Sequence, residues 1–189
     1  MIDIGTGDGR FVSASAKTNP DKFFIGIDAN VKPLEKPSIK ATRKPSKGGL
    51  PNALFVQAAV EELPDEFTGI ANEVHINFPW GSLLRAVLIG DQNVLTSLRR
   101  IATENCRLKV LTSLDMERDR SEIERLGIPG IDAVYIQNEL VTRYASAGFE
   151  LINSAALDAN AWKQIETSWA KKLSGNRNRN GLWMEFTAV

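Results

Sequence analysis

Short apolar runs rich in β-branched and aromatic residues recur along this chain, separated by longer amphipathic or polar stretches. That alternation predicts a βα-repeating fold around a mainly parallel sheet. The runs place strands near Ile2 to Ile4, Phe23 to Asp28, Leu54 to Ala58, Val74 to Phe78, Arg107 to Ser113, Phe149 to Ala155 and Leu182 to Ala188. Helices fit between them at Gly9 to Thr18, Leu83 to Leu88 joined to Asn93 to Ala102, Arg118 to Leu126, and Asn138 to Ala147. From Val31 to Lys47 the pattern is broken by Pro33, Pro37 and Pro45, which predicts one short helix with loops at both ends. Gly49 to Asn52 and Gly127 to Gly130 read as turns, and no internal repeat is visible.

The sequence Asp3-Ile-Gly5-Thr-Gly7-Asp-Gly9 follows the first apolar run and opens a helix. Glycines at alternate positions let the backbone turn tightly and approach a ligand where a side chain would collide. The next strand ends in Asp28, about 20 residues on, where a carboxylate can hold the two hydroxyls of a ribose. NAD and S-adenosylmethionine (SAM) enzymes share such a loop, so the spacing has to choose. A dinucleotide site usually reads G-x-G-x-x-G, with its pyrophosphate on the helix N-terminus. Here the pattern is D-x-G-x-G-x-G, and Asp3 and Asp8 would repel a pyrophosphate but suit the cationic methionyl end of SAM.

The fourth strand runs into Asn77-Phe-Pro79-Trp80-Gly-Ser82, at the sheet edge where ligands of open α/β sheets bind. Proline stiffens such a loop, and the tryptophan after it can be offered to a flat substrate. Stacking a base on the ring is worth roughly 1–3 kcal/mol, which offsets much of the cost of extracting a base from its stack. A purine acceptor follows. Of the other tryptophans, Trp162 and Trp183 read as packing, whereas Ser168-Trp169-Ala-Lys171-Lys172 sets an aromatic beside a basic cluster, as RNA sites do. The expectation is that Trp80 and Trp169 meet around one base.

Composition narrows the chemistry. A chain of 189 residues, 43% hydrophobic, suits one domain spanning residues 1–189. One histidine, His75, and one cysteine, Cys106, leave no material for a Cys/His metal cluster or an internal disulfide, so no metal is expected. Any Ser-His-Asp or Cys-His mechanism would have to use His75, which lies in an apolar run and reads as a packed strand residue. Cys106 reads as a small buried hydrophobe. With no run of about 18 apolar residues and no basic, apolar start, the expectation is a soluble cytoplasmic protein that engages no membrane.

Net charge is zero, 23 basic against 23 acidic residues, but the signs are segregated. Lys32, Lys36, Lys40, Arg43, Lys44 and Lys47 crowd one segment, and Lys163, Lys171, Lys172, Arg177 and Arg179 another, while Glu61, Glu62, Asp65, Glu66 and Glu73 gather elsewhere. Such a separation can build one basic face on a neutral protein.

Through GTGDGRF (Gly5 to Phe11), FFIGIDA (Phe23 to Ala29), KGGLPNALFVQAAVEELP (Lys47 to Pro64), NFPWGSLLR (Asn77 to Arg85) and TSWAKKL (Thr167 to Leu173), the chain resembles the Kam/Pam family of 16S rRNA adenine-1408 N1 methyltransferases, which confer aminoglycoside resistance. The resemblance implies a Rossmann-like, seven-stranded class I SAM-dependent methyltransferase fold, mostly parallel with an antiparallel last strand. It implies SAM as cofactor, S-adenosylhomocysteine as product, and 16S rRNA within the 30S subunit as partner of a monomeric enzyme. Asp3, Gly5, Gly7, Asp28 and its neighbour Ala29 would hold the methionyl part and ribose, with Ala59 and Glu61 bordering the adenine. Trp80 and Trp169 would sandwich the flipped target base, with Pro79, Ser82 and Ser168 shaping the pocket. Lys40, Arg43, Lys44, Lys47, Lys171, Lys172, Arg177 and Arg179 would contact rRNA phosphates. The family has an N-terminal extension before the first strand, which is expected to be missing here. Two other readings stay open: adenine N6 methylation with Asn77 accepting from the exocyclic amine, and a non-catalytic SAM- and RNA-binding protein of the ribosome.

Overall fold

A computed structural model of the chain describes residues 1–114, 117–157 and 181–189. These residues form a seven-stranded sheet: β1 (Ile2–Ile4), β2 (Phe24–Asp28), β3 (Ala53–Gln57), β4 (Ala71–Asn77), β5 (Ala102–Thr112), β6 (Phe149–Leu157) and β7 (Gly181–Ala188), in the order β3-β2-β1-β4-β5-β7-β6. β1 to β5 pair in parallel, and β7 runs antiparallel between β5 and β6. The expected fold class is therefore the observed one. β1 and most of β2 are buried throughout, as central strands covered on both faces must be, which is why they read as unbroken apolar runs.

The helices are α1 (Arg10–Thr18), α2 (Val31–Ala41), α3 (Gly81–Ile89), α4 (Gln92–Ile101), α5 (Arg120–Leu126), α6 (Ala133–Tyr135) and α7 (Val141–Ser146), with a π turn (Ile136–Leu140) joining the last two. Right-handed crossovers that step one way from β1 put α1 and α2 on one face, and those that step the other way from β4 put α3 and α4 on the opposite face. α4 shows how the sequence makes such a helix. Asp91 caps it by accepting from Asn93 N and Val94 N at 3.0 and 3.3 Å, and Val94, Leu95, Leu98 and Ile101 bury one stripe. Each such burial contributes about 1.5–3 kcal/mol.

Several boundaries differ from expectation, each for a local reason. The proline-broken segment carries an 11-residue helix, α2, followed by a 3-10 turn (Pro45–Lys47). Pro33 lies in the first turn, where no amide donor is needed, and Pro37 is buried and absorbed mid-helix. α3 and α4 are separate because Gly90 leaves the helix at φ 64°. β5 starts at Ala102, before its apolar run, through an irregular stretch in which Asn105 has φ 62° and the register to β4 shifts between Ala71 and Glu73. β4 stops at Asn77 because Phe78 has φ 51°. The C-terminal helical run begins at Ala133, earlier than expected. On β7, Met184, Phe186 and Ala188 are fully buried, and Trp183, on the other face, is only partly covered. No described helix is long and apolar enough to cross a membrane.

Candidate active site

The carboxyl ends of β1 to β4 open into a cleft of about 480 Å³, at the point where the crossovers diverge on either side of β1 and β4. That is the size of a small-molecule site. The turn after β1 forms one wall, pinned to β2 by Gly5 N and Thr6 N, which donate to Ile27 O at 2.8 and 3.0 Å. Gly7 has φ 56° and nothing within 4 Å of where a Cβ would stand, so it leaves room for a ligand. Gly9, at φ 66°, is needed for a different reason, since a Cβ there would run into the Phe55 ring.

The acids are fixed by the same elements. Asp28, ending β2, accepts from Gly7 N and Asn30 N, both at 2.8 Å, so its carboxylate is locked beside the turn. Asp3 is only 2% exposed, and Asn77 Nδ2 donates to its Oδ1 at 3.1 Å. Burial pushes the Asp3 carboxyl up to about 6 against the opposing pull of its neighbours Thr6, His75 and Asn77. A buried acid of this kind gains from a cation brought to it. Asp8 pairs with Arg10 at 3.0 Å on the rim. Ala29, Ala58, Ala59, Val60 and Glu61 line the remaining wall, mostly small apolar groups beside one carboxylate.

The acceptor loop closes the other side. Phe78 is 6% exposed with φ 51°, a conformation that side chains rarely adopt, and its amide donates to Leu111 O at 2.7 Å. This bend ends β4 and delivers Pro79, Trp80 and Ser82 to the cleft, with Trp80 44% exposed at the start of α3. The structure thus brings Asp3, Gly5, Gly7, Asp28, Ala29, Ala59, Glu61, Pro79, Trp80 and Ser82 together around one space. Trp169, Ser168, Lys171, Lys172, Arg177 and Arg179 lie outside the described residues, as does Trp162.

Lys40 lies in the last turn of α2, and Arg43, Lys44 and Lys47 follow the helix, all exposed. Lys40 also lines a groove of about 700 Å³ between α1 and α2, with Arg10, Lys17 and Lys36, and this groove meets the cleft at Asp8 and Pro33. Arg10 and Lys17 were not singled out from the sequence, although seven residues on a helix return to the same face. The KGGLPN stretch serves structure: Gly49 packs against the Arg43 carbonyl with no room for a Cβ, and Asn52 Nδ2 donates to Ala16 O, Asn19 O and Lys22 O at 2.9, 3.1 and 2.9 Å. His75 is a strand residue, as expected, with Nε2 2.8 Å from Glu73 Oε1 and its ring 5.0 Å from that of Phe11. His75 and Lys109 hold the Glu73 carboxyl down at about 2, despite its partial burial. Cys106 is buried, and burial pushes its thiol up to about 11, so it is no nucleophile. Thr6, Phe11, Pro33 and Leu83 also line the cleft, and their types alone carried no signal.

A cleft lined by a buried acid, an acid locked at the end of β2 and a wall of small residues, on a sheet of this strand order, is the architecture of a SAM-dependent methyltransferase. The family model NpmA, 16S rRNA (adenine(1408)-N(1))-methyltransferase, matches residues 1–188. The chain belongs to that family. A 16S rRNA (adenine(1408)-N(1))-methyltransferase from Escherichia coli is 36% identical over 180 residues, 95% of this chain and 82% of the relative. One from Streptoalloteichus hindustanus is 34% identical over the same shares. Among solved structures, the aminoglycoside resistance methyltransferase NpmB1 superposes with a TM-score of 0.86 at 49% identity, covering 100% of this chain and 86% of that one. A mutant 16S rRNA (adenine(1408)-N(1))-methyltransferase from Catenulisporales acidiphilia, crystallised with cosubstrate SAM, superposes with a TM-score of 0.88 at 29% identity, covering 100% and 84%.

Proposed function

We propose that this chain, as a single methyltransferase domain acting as a monomer in the cytoplasm, methylates N1 of adenine 1408 of 16S rRNA within the 30S subunit and thereby confers aminoglycoside resistance. The observation that carries the reading is the shared cleft. Asp3, Gly7 and Asp28 stand on one side and Pro79, Trp80 and Ser82 on the other, so a cofactor and a flat acceptor can lie in contact.

SAM, when bound, supplies an electrophilic methyl. The residues of the chain do the rest by placement. Asp3 receives the cationic methionyl end, Asp28 the ribose hydroxyls, and Ala59 and Glu61 border the cofactor's base. Trp80 offers a stacking face to the extruded adenine, with Pro79 and Ser82 shaping the pocket and Trp169 and Ser168 completing it. Adenine N1 carries a free lone pair at neutral pH, so no general base has to create the nucleophile. Holding the reacting atoms in line is an effect that reaches roughly 7–11 kcal/mol in favourable cases. Lys40, Arg43, Lys44 and Lys47, with Lys171, Lys172, Arg177 and Arg179, contact rRNA phosphates.

Purified 30S subunits incubated with methyl-labelled SAM test the reading. Label is expected in 16S rRNA as 1-methyladenosine, which rearranges in alkali. Trp80→Ala is expected to cut the rate by about 10- to 100-fold, the worth of one stacking contact, with S-adenosylhomocysteine affinity changed less than about twofold. Binding without incorporation would instead mark a non-catalytic protein, and label on the exocyclic amine an N6 enzyme.

A further inference from the structure

Asn77 sits where the cofactor side of the cleft meets the acceptor side. β1 and β4 pair through Ile2 with Val74 and Asp3 with His75, and beyond those pairs the two chains part, β1 into the glycine turn and β4 toward Trp80. Across the gap, Asn77 Nδ2 donates to Asp3 Oδ1 at 3.1 Å. It is the one described side chain whose hydrogen bond to Asp3 crosses between these strands. The backbone next to Asn77 is held as well, with Phe78 at φ 51° and its amide on Leu111 O. The amide is therefore anchored on a rigid bend and aimed at the buried carboxylate.

We propose that Asn77 is a positioning residue for the cofactor: its amide holds the Asp3 carboxylate oriented into the cleft and favours its ionised form, so that the methionyl ammonium meets a preformed anion. The assignment rests on the reading of the cleft as a SAM site. A buried carboxylate left without this donor takes up a proton more readily and loses its orientation. The groups facing Asp3 are Thr6 from the glycine turn, Asp28 from β2, and His75 and Asn77 from β4, with Asp8 and Glu61 on the cleft lining. Of these, Asn77 is an uncharged group that donates to Asp3 directly, so its removal changes the acid without adding or deleting a charge.

The test is S-adenosylhomocysteine affinity by calorimetry between pH 5 and pH 8, with folding checked by circular dichroism. The product carries the same ammonium as SAM and needs no turnover. In the wild type, affinity is expected to fall as Asp3 protonates on the acid side. Asn77→Ala is expected to weaken binding about 10-fold at neutral pH, as for a lost hydrogen bond to a charged group, and to move the acid fall to higher pH. Asn77→Asp, which keeps the shape but replaces the donor with a second carboxyl, is expected to weaken it further, which a packing defect would not do. Asp3→Asn is expected to flatten the profile, and adding Asn77→Ala to it to cost less than about twofold more. An unshifted acid fall in Asn77→Ala, or full additivity in the double variant, would overturn the assignment. Persistence of the fall in Asp3→Asn would show that another group carries it and would also overturn the assignment. Absence of binding by the wild type at every pH would remove the SAM reading itself.

Discussion

At the scale of single residues, the site concentrates its cost in Asp3. Its carboxyl, at about 6 in the folded chain against an ordinary 3.8, is one that folding pushes toward the neutral form. The sign follows directly: the folded value is the higher, so the neutral acid's contribution to stability is complete below about pH 4 and lost as pH rises through about 6. At neutral pH the ionised group costs the empty protein on the order of 3 kcal/mol. Asp3→Asn should therefore raise the melting temperature at pH 7.5 by several degrees, at about 2–4 °C per kcal/mol for a domain of this size, and by much less at pH 4.5, while losing cofactor affinity. An equal gain at both pH values would show that the carboxylate carries no such penalty. Asp3 was legible as a candidate cofactor acid because it stands in D-x-G-x-G-x-G. The hydrogen bond from Asn77, 74 positions away, was not, since only the parallel pairing of β1 with β4 brings the two together.

At the scale of elements, legibility followed burial. β1 and β2 were plain because strands covered on both faces must be apolar throughout, and glycine or aspartate ends them. The start of β5 was hidden because polar Thr103, Glu104 and Asn105, the last two exposed, run in an irregular register, and α2 because prolines read as breaks although one falls in the first turn. α2 also carries a basic face that the chain order conceals. Lys36 and Lys40 recur at helical spacing and, with Arg10 and Lys17 from α1, line the groove that leads from the cleft. If rRNA follows this groove, Lys40→Ala should weaken 30S binding at low salt and reduce the slope of log K against log salt by about 0.7–0.9, the share of one phosphate contact. S-adenosylhomocysteine affinity should not change. An unaltered salt slope would place the RNA on another face.

At the scale of the whole molecule, a net charge of zero conceals a division made by the sheet. The basic segment follows α2 on one face, whereas Glu61, Glu62, Asp65 and Glu66 lie in the 3-10 turns after β3, the first of which packs on α4 on the other. Asp65 is paired there with Arg100 at 3.1 Å. Segregation of this kind gives an orientation to RNA binding without an overall basic charge. The pairing of Trp80 with Trp169, expected from the neighbouring lysines and from the family resemblance, involves a residue outside those described, so its trial lies in the RNA product. Reverse transcription across the decoding site of treated 30S subunits is the most direct measurement, because a methyl on N1 blocks the base-pairing edge. A SAM-dependent stop at adenine 1408 is expected, abolished in Asp3→Asn and strongly reduced in Trp80→Ala. A modified 16S rRNA with free passage at that adenine, or a stop at another base, would contradict it.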